Sequence, residues 1–262
     1  MRAPVVIGLL LSLPALGEYV EVHGIKMYYE VHGEGRPVVL LHGGTGTIRS
    51  SFAEQIPVLA RSHRVIAIEQ MGHGHTGDVP GRELSYEGMA EDTAALLVQL
   101  GIQNADLVGW SDGGQLALRL AFTHPELVRR VVASGVGLGA YTPQMQQAMH
   151  ALSAASWPAP VRDEYARVSP DGAQHWPVFF DKIKAMWAKP SWGISEPELA
   201  RIKAPVLIVA GDRDFTRVEE TTRIFRMIPG ARLAILPATD HFTFQKRPDW
   251  LNPIVLDFLD GQ

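Results

Sequence analysis

Apolar positions along the chain fall into short continuous runs separated by stretches with helical spacing. Residues 19–22 and 27–31 flank His23-Gly24 and predict a hairpin. Residues 38–41 are apolar throughout, the pattern of a strand covered on both faces. Similar runs recur at residues 65–68, 106–108, 131–133, 206–209 and 233–236. Between them, residues 89–100 place Leu96, Leu97 and Leu100 on one helical face and stop at Gly101, and residues 115–122 run up to His124-Pro125. Strands alternating with helices predict an α/β fold, a doubly wound and mostly parallel sheet.

The alternation breaks between about residues 137 and 200. No strand-like run occurs there, while Trp157, Trp176, Phe179, Phe180, Met186, Trp187 and Trp192 gather among Pro158, Pro160, Pro170 and Pro177. Helical spacing over residues 174–187 predicts a helical insertion, a cap over one end of the sheet. Most of these aromatics are expected to pack the insertion onto the core; Trp157 and Trp187, with Trp110, are the candidates for a pocket wall. The expected division is therefore a core of residues 18–135 and 201–262 with a cap at residues 136–200.

The first seventeen residues break the pattern differently. Met1-Arg2 is a short positive start, residues 5–13 are mostly apolar, and Ala15-Leu16-Gly17 supplies small residues before Glu18. This predicts a signal peptide over residues 1–17 and a secreted or periplasmic protein starting near Glu18. Without that leader the expectation is a cytoplasmic one. The run is too short to span a bilayer, and no later segment is apolar for long enough.

Composition narrows the chemistry. The chain has 262 residues, enough for one large domain, with 24 Lys and Arg against 28 Asp and Glu. That balance gives no basic excess for nucleic acid. There is no cysteine, which excludes disulfides, a thiol nucleophile and thiolate metal sites. His73 and His75, with His42 elsewhere, lack a carboxylate at matching spacing, so loop roles are expected and no metal or cofactor.

Gly109-Trp110-Ser111-Asp112-Gly113 matches G-x-S-x-G between a predicted strand and a predicted helix, the context of a nucleophile elbow. In so sharp a turn, side chains two residues before and after the serine would collide. The turn raises the Ser111 hydroxyl above the strand ends and sets the Asp112 N–H at a helix start, where developing negative charge is stabilised. A serine hydroxyl needs a base, and the base needs an orienting acid. In this fold the acid and then the histidine follow the serine. Of His124, His150, His175 and His241, only His241 follows a late strand in a short loop, which makes it the candidate base. Gly211-Asp212-Arg213-Asp214 follows the preceding strand and offers two carboxylates, which spacing does not separate. His42-Gly43-Gly44-Thr45-Gly46 lets backbone N–H groups approach a substrate oxygen closely, so Gly44 and Asp112 are the candidate oxyanion hole.

Taken in order, His42-Gly43-Gly44, Gly72-His73-Gly74, Gly109-Trp110-Ser111-Asp112-Gly113-Gly114, Gly211-Asp212-Arg213-Asp214 and Asp240-His241-Phe242 resemble the α/β-hydrolase superfamily over nearly all of residues 19–258. The elbow is similar to that of valacyclovir-hydrolase-like and related small-ester hydrolases, in a serine-nucleophile esterase and lactonase branch. The resemblance implies an eight-stranded sheet, a helical cap after the sixth strand and a Ser111, Asp214, His241 triad, its Gly-x-x-Asp pattern choosing Asp214. It implies hydrolysis of small to medium carboxylic esters through an acyl-enzyme, with a small-molecule ester as partner. The same constellation also serves lactonases, thioesterases, amidases, C–C bond hydrolases and some lyases or cofactor-free oxygenases; a non-catalytic binding protein would lack a triad member. Two positions depart from the family pattern: Glu69-Gln70-Met71 stands where Asp-x-Arg is common, and Asp240 precedes the histidine in place of glycine.

Overall fold

The structure, a computed structural model, describes residues 17–138, 143–189 and 193–261, without the side chains of 143–146. The leader predicted over residues 1–17 lies, but for Gly17, outside the described residues, as does Trp192.

Eight strands form one sheet: β1 Glu18–Val22, β2 Ile25–His32, β3 Arg36–Leu41, β4 His63–Ile68, β5 Ala105–Trp110, β6 Val128–Ser134, β7 Val206–Gly211 and β8 Arg232–Leu236. Their spatial order is β1-β2-β4-β3-β5-β6-β7-β8. The β1–β2 and β2–β4 pairs are antiparallel and the others parallel. Each apolar run read from the sequence lies inside one of these strands.

The continuous runs have a packing cause. Val39, Leu41, Ile66, Ile68 and Leu107 join one hydrophobic cluster, while Val38, Leu40, Val65, Ala67 and Val108 join a second. Successive side chains point to opposite faces, so a strand buried on both sides must be apolar at every position.

The helices are α1 Ile48–Phe52, α2 Ile56–Leu59, α3 Tyr86–Gln99, α4 Asp112–Thr123, α5 Pro143–Ala151, α6 Ala159–Val168, α7 Trp176–Trp187, α8 Glu196–Leu199, α9 Val218–Met227, α10 Thr243–Lys246 and α11 Pro248–Asp260. Helix α3 starts three residues before the predicted position because the Ser85 hydroxyl caps it, accepting from the Gly88 N–H at 3.0 Å. The helix predicted over residues 174–187 opens as a short 3₁₀ turn, Ala173–His175, before α7. Helices α5 to α8 lie in sequence between β6 and β7.

The segment after β4 is bound to this helical stretch by polar contacts. The Asp78 side chain, 3% exposed, accepts from Lys182 Nζ at 2.7 Å and pairs with His175 Nε2 at 2.9 Å, and the Asp78 backbone N–H donates to Asp171 at 2.7 Å. Among the described residues no helix is long and apolar enough to cross a membrane.

Candidate active site

Ser111 sits between the end of β5 and the start of α4 with φ 56° and ψ −120°, a backbone conformation disfavoured for a residue with a side chain. The strain is held from several sides. The Ser111 N–H donates to Ser134 O at 2.7 Å, and the Gly114 and Gln115 N–H groups bond back to Ser111 O. A Cβ on Gly113 would strike the Leu41 and His42 backbone, and one on Gly109 would strike Gly113 itself. Only glycine lets the strand, the helix and the end of β3 approach this closely.

The late loops bring His241 to this elbow. His241 Nε2 lies 2.9 Å from Ser111 Oγ, while its Nδ1 lies 3.0 and 3.2 Å from the two oxygens of Asp214. Asp212, the alternative carboxylate, accepts from the Thr239 N–H at 3.1 Å and ties the two loops together. Asp214 also accepts from the Thr216 N–H at 2.9 Å, which orients its carboxylate. Trp110, beyond lining the cavity, donates its indole N–H to His241 O at 2.8 Å and so pins the histidine loop.

Gly44 and Asp112 lie on separate segments that meet beside Ser111. The Asp112 N–H belongs to the first turn of α4, whose amides have no intrahelical acceptor. The loop carrying Gly44 is held through His42. Its Nδ1–H donates to Gly43 O at 2.8 Å, and its Nε2 accepts from the Gln70 N–H at 3.0 Å. Burial pushes the His42 imidazole below its ordinary range, so the ring stays neutral and keeps this donor and acceptor arrangement. The Asp112 carboxyl is pushed up by burial, an effect that donors from Tyr86 and Trp187 oppose.

A cavity of about 580 Å³ opens over Ser111. Trp110, Trp157 and Trp187 line it, as do Met149, Leu152 and Val161. Phe215 and Phe242, neither of them a pocket candidate from the sequence, also line it, 66% and 46% exposed. Phe215 lies against the His241 ring with centroids 4.2 Å apart. Their signal was adjacency, since each directly follows a predicted triad residue.

The two departures have local explanations. Met71 is buried among apolar neighbours, and Glu69 accepts the backbone N–H groups of Ile48 and His75, bracing the two loops without an arginine. Asp240 accepts from the Phe242 N–H and pairs with Lys246, whose ammonium holds its carboxyl below the usual range. Neither His73 nor His75 joins a group of three metal-ligating side chains among the described residues.

Comparison with known proteins bears on this geometry. A 2-hydroxymuconate semialdehyde hydrolase of Pseudomonas putida is 27% identical, covering 94% of this chain and 95% of its own. Serine hydrolase BPHL of Homo sapiens is 28% identical over 92% of this chain and 85% of its own. Among solved structures, Est816, an N-acyl homoserine lactone degrading enzyme, superposes with a TM-score of 0.75 at 29% identity, covering 92% of this chain and 99% of that one. Residues 38–254 match the alpha/beta hydrolase family, and with a match over that much of its length the chain belongs to it.

Proposed function

We propose that the protein is a serine hydrolase that cleaves small to medium carboxylic esters through an acyl-enzyme. The observation that carries this reading is His241 placed between Ser111 Oγ and the Asp214 carboxylate, each within hydrogen-bond reach. His241 Nε2 takes the Ser111 proton as Oγ attacks the ester carbonyl. Asp214 holds the Nδ1–H and stabilises the imidazolium that forms. The Gly44 and Asp112 N–H groups receive the oxyanion. His241 then returns the proton to the departing alcohol, and a water activated by the same nitrogen releases the acid.

The cavity supports a neutral ester with an apolar acyl group. Its walls are mainly aromatic and aliphatic, and among the described residues no lysine or arginine lines it. A lactone is a cyclic ester and meets the same requirements. Helices α5 to α8 and the connections between them act as the cap that closes this cavity in our reading, with Met149, Leu152, Trp157, Val161 and Trp187 as its contribution to the wall.

The test is p-nitrophenol release from acetate, butyrate and octanoate esters by wild type and Ser111→Ala. The reading expects turnover that the variant loses, with the acid labelled when the reaction is run in heavy-oxygen water. Equal rates in the two proteins would exclude Ser111 as nucleophile.

A further inference from the structure

The two candidate oxyanion donors lie on segments far apart in sequence, and one side chain from α7 touches both. A Cβ added to Gly44 would collide with Cζ2 of Trp187 and with Oδ2 of Asp112, so the indole and the carboxylate lie directly against this glycine. Trp187 Nε1–H in turn donates to both oxygens of Asp112, at 3.1 and 2.9 Å. The Tyr86 hydroxyl, at the first turn of α3, donates to Oδ1 at 2.6 Å. The Asp112 carboxylate is thus a junction of α3, α4 and α7.

A half-buried carboxylate here is costly. It loses hydration and, when ionised, opposes negative charge developing on a substrate oxygen nearby. An apolar side chain would fill the space without either cost. What the carboxylate supplies, and an apolar group could not, is directional bonds that fix the Asp112 side chain, and through it the first residue of α4, relative to an indole packed on Gly44.

We propose that Trp187, acting through the Asp112 carboxylate, is a positioning residue for the oxyanion hole and not only a wall of the cavity. It sets the spacing between the Gly44 and Asp112 backbone N–H groups, with Tyr86 bracing the carboxylate from the other side. The proposal rests on the serine-hydrolase reading above. A misplacement of about 1 Å at such a site costs on the order of a hundredfold in rate, so loosening the junction is expected to cost about tenfold.

The experiment compares wild type, Trp187→Phe, Tyr86→Phe and Ser111→Ala with p-nitrophenyl butyrate and with an alkyl trifluoromethyl ketone. The ketone mimics the tetrahedral stage: Ser111 Oγ adds to its carbonyl carbon, the hydroxyl proton passes to His241, and the carbonyl oxygen becomes the oxyanion. Trp187→Phe keeps a ring and removes the N–H; Tyr86→Phe removes the second donor from a residue that does not line the cavity. The expected result is a fall in kcat of about tenfold in Trp187→Phe and a smaller fall in Tyr86→Phe, KM staying within about twofold. Ketone affinity should weaken by the same factor as kcat/KM. A change confined to KM, or a ketone bound as tightly by both variants as by wild type, would overturn the proposal and leave Trp187 a wall. Should Ser111→Ala retain turnover, or should wild type cleave no ester and ignore the ketone, the serine-hydrolase reading itself fails and takes this proposal with it.

Discussion

At the scale of single residues, the account assigns unequal tasks to groups that the sequence shows as equals. Two aspartates flank Arg213, and the fold separates them by what it places opposite each: Asp214 meets an imidazole and Asp212 the Thr239 amide. Spacing cannot show this, because both lie on one loop and the partners arrive from residues 239–241. Asp214→Asn should therefore cut kcat by about ten-thousandfold, by favouring the wrong histidine tautomer, while Asp212→Asn, which keeps an acceptor for the Thr239 N–H, should cost far less. Steady-state rates on one ester decide between them, and similar losses in both variants would contradict the assignment. A residue-level prediction about stability concerns Gly113. Gly113→Ala drives a methyl group into the Leu41 carbonyl, which cannot swing aside without moving β3. Denaturant titration should show a loss of at least about 1–3 kcal/mol, the usual range for overpacking.

Between elements, the sequence was legible where burial is two-sided and less so where it is not. The sheet could be read because its central strands are covered on both faces, which leaves runs such as 38–41 with no polar interruption. Helix α11 escaped notice because Pro253 lies inside it and obscures the helical signal, although Leu251, Val255, Phe258 and Leu259 bury one face. The short helices α1, α2, α8 and α10 have too few turns to display a period. Tyr86 precedes residues 89–100, the span predicted as helical; its ring joins the core while its hydroxyl reaches Asp112, and only the second fact bears on the site. The attachment of α7 to the segment after β4 was also invisible, since it joins Asp78 to Lys182 across more than a hundred positions. Asp78→Ala would leave Lys182 a charge without its carboxylate in a mostly buried setting. We expect a loss of about 2–3 kcal/mol, the cost of breaking a buried pair discounted for the lysine's partial exposure. Chemical denaturation of the variant measures it, and wild-type stability would show that the pair contributes little.

The whole molecule couples the site to stability through pH. His42 and His73 are buried, and burial pushes both imidazoles below their ordinary range, His73 well below it. A histidine held neutral in the fold contributes stability that is fully present above the unfolded value near 6.5 and is lost as pH falls below it toward the folded value. Within that window each such group steepens the loss by up to about 1.4 kcal/mol per pH unit. His73→Asn, whose amide can still donate to the Met71 carbonyl, should show a shallower fall of stability between pH 6.5 and 5 than wild type. Equal slopes would mean that other groups govern acid sensitivity. The ordered motifs along the chain pointed to the family, because each carries a backbone or proton-transfer requirement of its own. The acyl preference was not legible, because it depends on how Leu152 and Trp157, from the connection between α5 and α6, and Trp187, from α7, converge on one cavity. The most direct test of the account is to quench wild-type protein during turnover of p-nitrophenyl butyrate and determine by mass spectrometry where the acyl group resides. The account predicts one butyryl group on the peptide containing Ser111, absent from Ser111→Ala; wild-type turnover with the acyl group on another residue, or an adduct that persists in Ser111→Ala, would contradict it.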